Sequence, residues 1–343
     1  MSKRLRFISA TAVAVSSTAM PKKSKPDWTF SLVVTYNPFT MASEIRQEVK
    51  TQSAFPIGPL GIEAALEAKA NPSIQPRLKI FDQFAVTDRV ALVSGGNGGL
   101  GLETAIALCE ADARVVYCFD LPEKPSEVFV ASQDYVRRLG NNSRLEYFSA
   151  DARDQQLLWK KAEEIGDKEQ RLDICVAAAG IAKPQIDCLK YPAETFKEVI
   201  DVNTNGVFFT AQAAGRQMAR FGRGGSIILF ASVAGSVSEP GGGMVSYGSS
   251  KSAVLQMARS MACELGNQKI RVNSLSPGII RTPMTREIVN TVSPILDAWL
   301  RSSPLGRVGR ADEVRGVVTW LASDASSFCT GSNIVVDSGY CAQ

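Results

Sequence analysis

The sequence predicts an α/β domain built on a doubly wound parallel sheet with helices on both faces, and three observations carry that expectation. From about Phe84 onward, seven short segments have apolar cores such as VALVS, ICVA and SIILFA, without the alternation of a half-exposed strand. That is the pattern of strands buried on both faces. Between them lie stretches of roughly 10–25 residues with helical spacing, the alternation that produces a parallel sheet with crossover helices. The first of these segments also runs straight into a glycine-rich turn, Ser94–Gly101, and a helical stretch, Leu102–Ala111.

Taken in order, residues 1–40 stand apart as a leader or tail. Met1–Lys25 carries Lys3, Arg4, Arg6, Lys22, Lys23 and Lys25, is rich in Ser, Thr and Ala, and has no acid before Asp27. This is the composition of a mitochondrial transit peptide. A secretory signal, with Phe7–Val15 as its apolar stretch, and an unstructured tail are the competing readings, and Met41 opens a shorter chain. Segment 41–83 places Pro56, Pro59, Pro72 and Pro76 around one helical candidate, Ile62–Ala70, and reads as an arm or linker. Residues 84–343 then form one domain of about 260 residues. Its candidate strands are Arg89–Ser94, Arg114–Phe119, Leu145–Ser149, Leu172–Ala177, Ser226–Ala231, Ile270–Leu275 and Asn333–Val336.

Composition narrows the chemistry. The 343 residues are 45% apolar and 21% charged, an ordinary globular balance. The net charge of +4 gathers near the start of the chain, so no nucleic-acid partner is expected. No apolar run reaches 18 residues, so no membrane span is expected. The chain has no histidine, which excludes Ser-His-Asp and Cys-His catalysis and HExxH zinc sites. Seven cysteines without a CxxC pair read as buried free thiols of a reducing compartment, cytoplasmic or alternatively mitochondrial. They form neither a disulfide framework nor a metal site.

The turn Ser94-Gly95-Gly96-Asn97-Gly98-Gly99-Leu100-Gly101 suits a pyrophosphate. Glycine lets the backbone approach a ligand, and the helix after it offers unpaired N–H groups at its positive end. Two registers fit, Gly96-x-Gly98-x-x-Gly101 and Gly95-x3-Gly99-x-Gly101, and no Gly-Lys-Ser/Thr follows to make a P-loop. The second strand ends at Asp120, 19 residues after Gly101. A carboxylate there accepts hydrogen bonds from both adenosine ribose hydroxyls and repels a 2′-phosphate, so NAD(H) is expected, with NADP(H) as the alternative. Asp151, after the third strand, rims an adenine pocket or caps a helix over 153–165.

Tyr247-Gly248-Ser249-Ser250-Lys251 places a phenol and an amine four residues apart, on one face of a helix. A free phenol titrates near 10, too high for a base at neutral pH. A neighbouring ammonium and an oxidised nicotinamide, both positive, favour the phenolate, and the shift needed takes about 3–5 kcal/mol.

Together, the glycine turn, Asp120 and the Tyr-x3-Lys pair make the chain resemble the short-chain dehydrogenase/reductase family over about Phe84 to Tyr340. Further matches are Asp201-Val202-Asn203-Thr204-Asn205-Gly206, Ala231-Ser232-Val233-Ala234-Gly235, Pro277-Gly278-Ile279-Ile280-Arg281-Thr282, Pro304-Leu305-Gly306-Arg307, Leu321-Ala322-Ser323-Asp324 and Thr330-Gly331. The chain departs from the family at Ala178-Ala179-Gly180, where Asn-Ala-Gly is usual. It also has Ser94 in place of Thr, and Asp337-Ser338-Gly339 in place of Asp-Gly-Gly.

The resemblance implies a Rossmann-type sheet of order 3-2-1-4-5-6-7 and a catalytic set of Asn203, Ser232, Tyr247 and Lys251. It also implies a dinucleotide lying along Ser94, Gly95, Asn97, Gly99, Leu100 and Gly101, then Asp120 and Leu121, Asp151 and Ala152, and Ala178, Ala179 and Gly180. The nicotinamide end would reach Tyr247, Lys251, Pro277, Gly278, Ile280 and Thr282. In that scheme Tyr247 exchanges the alcohol proton, Ser232 binds the reacting oxygen, and Lys251 supports the phenolate and holds the nicotinamide ribose. Asn203 links Lys251 to solvent through a water.

Each of these roles has a plainer competitor. Asn203 sits poorly inside a helix and Asn205-Gly206 follow, so a kink sustained by side-chain bonds also explains it. Ser232 precedes Tyr247 by 15 residues, two more than usual, with Ser236 and Ser238 also in reach. Thr282 also reads as a turn or cap residue. An apolar lid is expected between Pro277 and Pro304, with Ile279, Ile280, Met284, Ile288, Val292, Ile295, Leu296, Trp299 and Leu300 serving specificity or packing. The substrate implied is a small alcohol or ketone. Polyol and sugar reductases are the nearest type, with 3-oxoacyl or specialised-metabolite ketoreductases and a non-catalytic dinucleotide sensor as alternatives. A homodimer or homotetramer on the Asn203 and Tyr247 helices is implied, with Ala253, Val254, Met257 and Met261 at the interface or in the core.

Overall fold

Short runs of Val, Ile, Leu and Cys lie buried in the central strands, because each strand presents alternate side chains to opposite faces and both faces are covered there. The edge segments Arg144–Ser149 and Asn333–Val336, expected to be buried likewise, are only partly so because each has a neighbour on one side alone. The computed structural model describes residues 58–238, 242–286 and 294–342, and the segment 1–40 expected as leader or tail lies outside them. Seven parallel strands form the main sheet: β1 (Val90–Ser94), β2 (Val115–Asp120), β3 (Arg144–Ser149), β4 (Ile174–Ala177), β5 (Gly225–Phe230), β6 (Ile270–Pro277) and β7 (Asn333–Val336). Their order is β3-β2-β1-β4-β5-β6-β7, as the resemblance implies. Every expected strand is present. The fourth starts two residues later than expected, where the Asp173 carboxylate accepts the Val90 N–H (2.8 Å).

The alternation sorts the core into two layers. Leu92, Tyr117 and Phe119 pack with Leu158, Ala211 and Val254 on one face; Val93, Val116 and Cys118 pack with Leu108, Phe129 and Val318 on the other. The helices concerned are α2 (Gly99–Glu110), α3 (Glu127–Arg137) and α9 (Arg315–Ala322) on the second face. On the first are α4 (Gln155–Glu169), α6 (Val207–Phe221) and α7 (Val245–Leu265). Val254 and Met261 are core residues of the domain, while Ala253 and Met257 are only partly buried. The arm carries α1 (Gly61–Ala70), which has no buried residue. The short helices α5 (Ala193–Ile200) and α8 (Pro294–Ser302) complete the set. All seven cysteines are free. The expectation that they are buried holds for Cys109, Cys118 and Cys175, and burial drives the Cys109 thiol up to about 12; Cys188 and Cys263 are exposed. No helix among the described residues is long and apolar enough to cross a membrane.

β1 pairs with β2 on one side and β4 on the other, so the chain crosses the sheet in opposite senses from this point. The crevice that results lies beyond the carboxyl ends of the strands, where such sheets bind ligands. One departure from the family pattern has a structural consequence close by. Ser338 has φ +63°, a left-handed conformation that favours glycine, and its buried hydroxyl lacks a hydrogen-bond partner. Ser338→Gly is therefore expected to stabilise the fold by about 1 kcal/mol, after the entropy glycine adds to the unfolded chain. A urea midpoint that is unchanged or lower would contradict this.

Candidate active site

A cavity of about 590 Å³ opens at the carboxyl ends of the strands, lined from Ser94 and Gly95 at one wall to Tyr247, Lys251 and Thr282 at the other. Its floor is the glycine turn. Gly95 and Gly99 have φ +70° and +53°. A Cβ on Gly95 would stand 2.8 Å from the Ala179 backbone nitrogen, and one on Gly101 would collide with the Gly95 carbonyl oxygen. Gly95, Gly99 and Gly101 of the register Gly95-x3-Gly99-x-Gly101 are thus each required by the backbone, and Gly96 is closed to a side chain as well, since a Cβ there would stand 2.6 Å from Cys118 Cβ. Helix α2 starts here with no side-chain cap and no acid in its first turn, so its leading N–H groups are free for an anion. The cradle fits a pyrophosphate.

Asp120 ends β2 at the cavity wall, with Oδ1 accepting the Leu121 N–H (2.8 Å) and Oδ2 the Asn97 N–H (3.0 Å). Leu121, Ala152, Leu100, Ala178, Ala179 and Gly180 also line the cavity. Asn97, expected along the dinucleotide, is not among the lining residues; its side chain accepts the Ser126 N–H (2.7 Å) instead. Asp151 lines the rim, clamped by the Arg153 guanidinium (Nη2–Oδ2 2.7 Å), which holds its carboxyl below the usual range. The helix-cap alternative for Asp151 is not realised: α4 begins later than expected, and Asp154 caps it by accepting the Leu157 N–H (3.0 Å).

At the far wall, Ser232 follows β5 with its hydroxyl against the Tyr247 phenol. Ser236 and Ser238 do not line the cavity. The longer Ser232–Tyr247 connection begins with a 3₁₀ turn, Val233–Gly235, and returns through Gly243, whose carbonyl accepts the Ile186 N–H (3.1 Å). Lys251 is 4% exposed, its Nζ donating to the Phe230 carbonyl (2.8 Å) and standing 5.7 Å from the Tyr247 ring centre. Burial holds the Lys251 amine down to about 8. Burial also raises the Tyr247 phenol, against the opposing hydrogen bond to Ser232. The acidification expected of Tyr247 draws on both the Lys251 ammonium and an oxidised nicotinamide, and burial is the opposing effect those charges have to offset.

Asn203 lies in a π-helical segment, Asp201–Gly206, inserted between α5 and α6. Such bulges gather at functional sites. The side chain is fully buried and does not line the cavity. Its Oδ1 accepts the Ile181 N–H (2.8 Å) and its Nδ2 donates to the Ile181 carbonyl (2.9 Å) and Ser250 Oγ (3.2 Å). The kink that its helix position foreshadows is present, stitched to the chain just after β4. Asn203 and Lys251 flank Gly180: a Cβ there would lie 3.4 Å from Asn203 Oδ1 and 3.5 Å from Lys251 Nζ.

Pro277, Gly278, Ile280 and Thr282 line the remaining wall. Thr282 also closes a reciprocal cap with Thr285 (N–H to Oγ1 3.0 Å), so its cap reading is realised at the cavity edge. Arg153, Val202 and Thr285 also line the cavity, beyond the residues the sequence pointed to. Thr285 was findable from the Thr-x-x-Thr spacing; Arg153 carried no local signal. Of the lid, Met284 reaches the cavity, whereas Ile288, Val292 and the side chain of Ile295 lie outside the described residues.

A family model described as enoyl-(acyl carrier protein) reductase matches residues 95–341. Sorbose reductase sou1 of Schizosaccharomyces pombe is 34% identical over 262 residues, covering 76% of this chain and 98% of the relative. A solved short-chain type dehydrogenase/reductase from Mycobacterium marinum is 34% identical with a TM-score of 0.71, covering 76% of this chain and 99% of that one. A solved 2-deoxy-D-gluconate 3-dehydrogenase homologue from Agrobacterium tumefaciens, with bound NADP, is 28% identical with a TM-score of 0.68. It covers 76% of this chain and 100% of that one.

Proposed function

The chain belongs to the short-chain dehydrogenase/reductase family and is an oxidoreductase, and on that premise we propose that it interconverts a secondary alcohol and a ketone, with Tyr247 as general acid/base and NAD(H) ahead of NADP(H). The observation that carries this reading is one cavity lined at one end by the Gly95–Gly101 cradle and Asp120 and at the other by Ser232, Tyr247 and Lys251. When bound, the dinucleotide supplies the acceptor or donor of hydride. The protein's own groups handle the oxygen and its proton. In oxidation, Tyr247 Oη takes the hydroxyl proton while Ser232 donates a hydrogen bond to the same oxygen, which becomes the carbonyl. Lys251, mostly ammonium at pH 7 with its amine held near 8, supplies the positive charge that favours the phenolate. Asn203 ties down Ile181 and Ser250, next to the Gly180 that it and that amine flank.

Likeness to sorbose reductase supports a polyol or sugar substrate. A reducing compartment and a homodimer or homotetramer are part of the same proposal. Turnover of NAD over a panel of secondary alcohols, including polyols and 3-hydroxyacyl thioesters, tests it: polyol oxidation is expected, thioester preference would move the substrate class, and dinucleotide binding without turnover on any alcohol would make the chain a sensor.

Asp120 carries the cofactor preference, since its carboxylate is presented at the strand end by two backbone N–H groups. Asp120→Ala is expected to raise the NADH dissociation constant by about tenfold, the size of a charged hydrogen bond lost, and to bring NADH and NADPH affinities together. Fluorescence titration checks both. A wild-type protein that already prefers NADPH would contradict the assignment.

A further inference from the structure

Asn97 sits in the middle of the glycine turn without lining the cleft, and its contacts run the other way. Its Oδ1 accepts the Ser126 N–H (2.7 Å) and its carbonyl accepts the Ser126 hydroxyl (2.8 Å), so a single residue grips it at two points. Ser126 is itself anchored as the N-cap of α3, its Oγ accepting the Phe129 N–H (3.1 Å). On its inner side Asn97 donates its own N–H to Asp120 Oδ2 (3.0 Å), while Leu121 N–H holds Oδ1 (2.8 Å). One of the two donors that aim the carboxylate is thus placed from outside, by the start of α3.

We propose that Asn97 is a positioning residue for cofactor choice: clasped by Ser126, it aims the Asp120 carboxylate at the adenosine ribose and sets how strongly NAD(H) is preferred over NADP(H). The inference rests on the reading of Asp120 given above. Gripping two vicinal hydroxyls needs a carboxylate of fixed orientation, whereas charge alone needs none. Loosening the clasp therefore weakens NADH. It also lets the carboxylate swing away from a 2′-phosphate, so the two coenzymes converge in affinity.

The test is a titration of NADH and NADPH against the full-length wild type, Asn97→Ala, Ser126→Ala, Asp120→Ala and the double variant Asn97→Ala/Asp120→Ala. Asn97→Ala is expected to narrow the NADH-to-NADPH affinity ratio by about 5–10-fold, Ser126→Ala to do so by less, and the double variant to match Asp120→Ala alone, as coupled sites do. Equal weakening of both coenzymes, or an Asn97→Ala effect that persists undiminished without the Asp120 carboxylate, would overturn the proposal. A wild type preferring NADPH overturns the Asp120 reading and the clasp together, whereas an NADH preference that Asn97→Ala leaves intact overturns the clasp alone.

Discussion

Tyr247→Phe lowers kcat for alcohol oxidation by about 10²–10⁴-fold, the contribution of a positioned general acid/base, while the NADH dissociation constant stays within about twofold of wild type. The substitution removes one oxygen and keeps the ring, so the packing of Tyr247 against Lys251 survives. The other hydroxyl in reach, Ser232, cannot take the proton near neutral pH and only binds the oxygen. Steady-state kinetics paired with a fluorescence titration separates the two effects. Turnover close to wild type, with cofactor binding unchanged, would remove Tyr247 from the reaction.

Lys251→Met is expected to cost about 10²–10³-fold in kcat, comparable to losing a preorganised electrostatic partner. Methionine fills similar space in this buried site without the charge. The pH profile carries the sharper signature. In the wild type kcat/KM for oxidation rises with pH as Tyr247 loses its proton. Without a cation beside it the phenol ionises at higher pH, so that rise moves in the alkaline direction. Folding stability follows pH in the same direction. The Lys251 amine titrates near 8 in the fold against an ordinary value of 10.5, so between those values the unfolded chain binds more protons and wild-type stability gains with rising pH. That gain disappears in Lys251→Met, which is no less stable than wild type at pH 7. A variant that loses activity by unfolding would contradict this account of the residue.

Much of this was legible in the sequence, for local reasons. Strands buried on both faces leave apolar runs, and the tight turn before α2 demands glycine at Gly95 and Gly101, where a Cβ would strike the Ala178–Ala179 backbone and the Gly95 carbonyl. Asp120 follows from chain geometry alone, since a strand–turn–helix–strand unit puts its second strand end beside the turn. What escaped turned on which of several polar neighbours, near or remote in sequence, a side chain meets. Asn97 faces Ser126 instead of the cleft, and Asp151 is clamped by Arg153 while Asp154 takes the helix cap; all are polar choices among near-equivalent neighbours. For the ionisation of Tyr247, the spacing to Lys251 is visible in the chain, whereas the burial that raises its phenol, and that the cation has to offset, is a property of the assembled fold. Asn203 fell between these cases, its poor helix propensity announcing the distortion but not the Ile181 backbone that receives it.

The most direct test of the central claim is a crystal structure with NAD⁺ and a secondary alcohol that the protein turns over slowly. The alcohol oxygen is expected within hydrogen-bond reach, about 2.6–3.2 Å, of both Tyr247 Oη and Ser232 Oγ, with the carbinol hydrogen directed at the nicotinamide. An alcohol held by other groups, or a nicotinamide lying away from Tyr247, would contradict it.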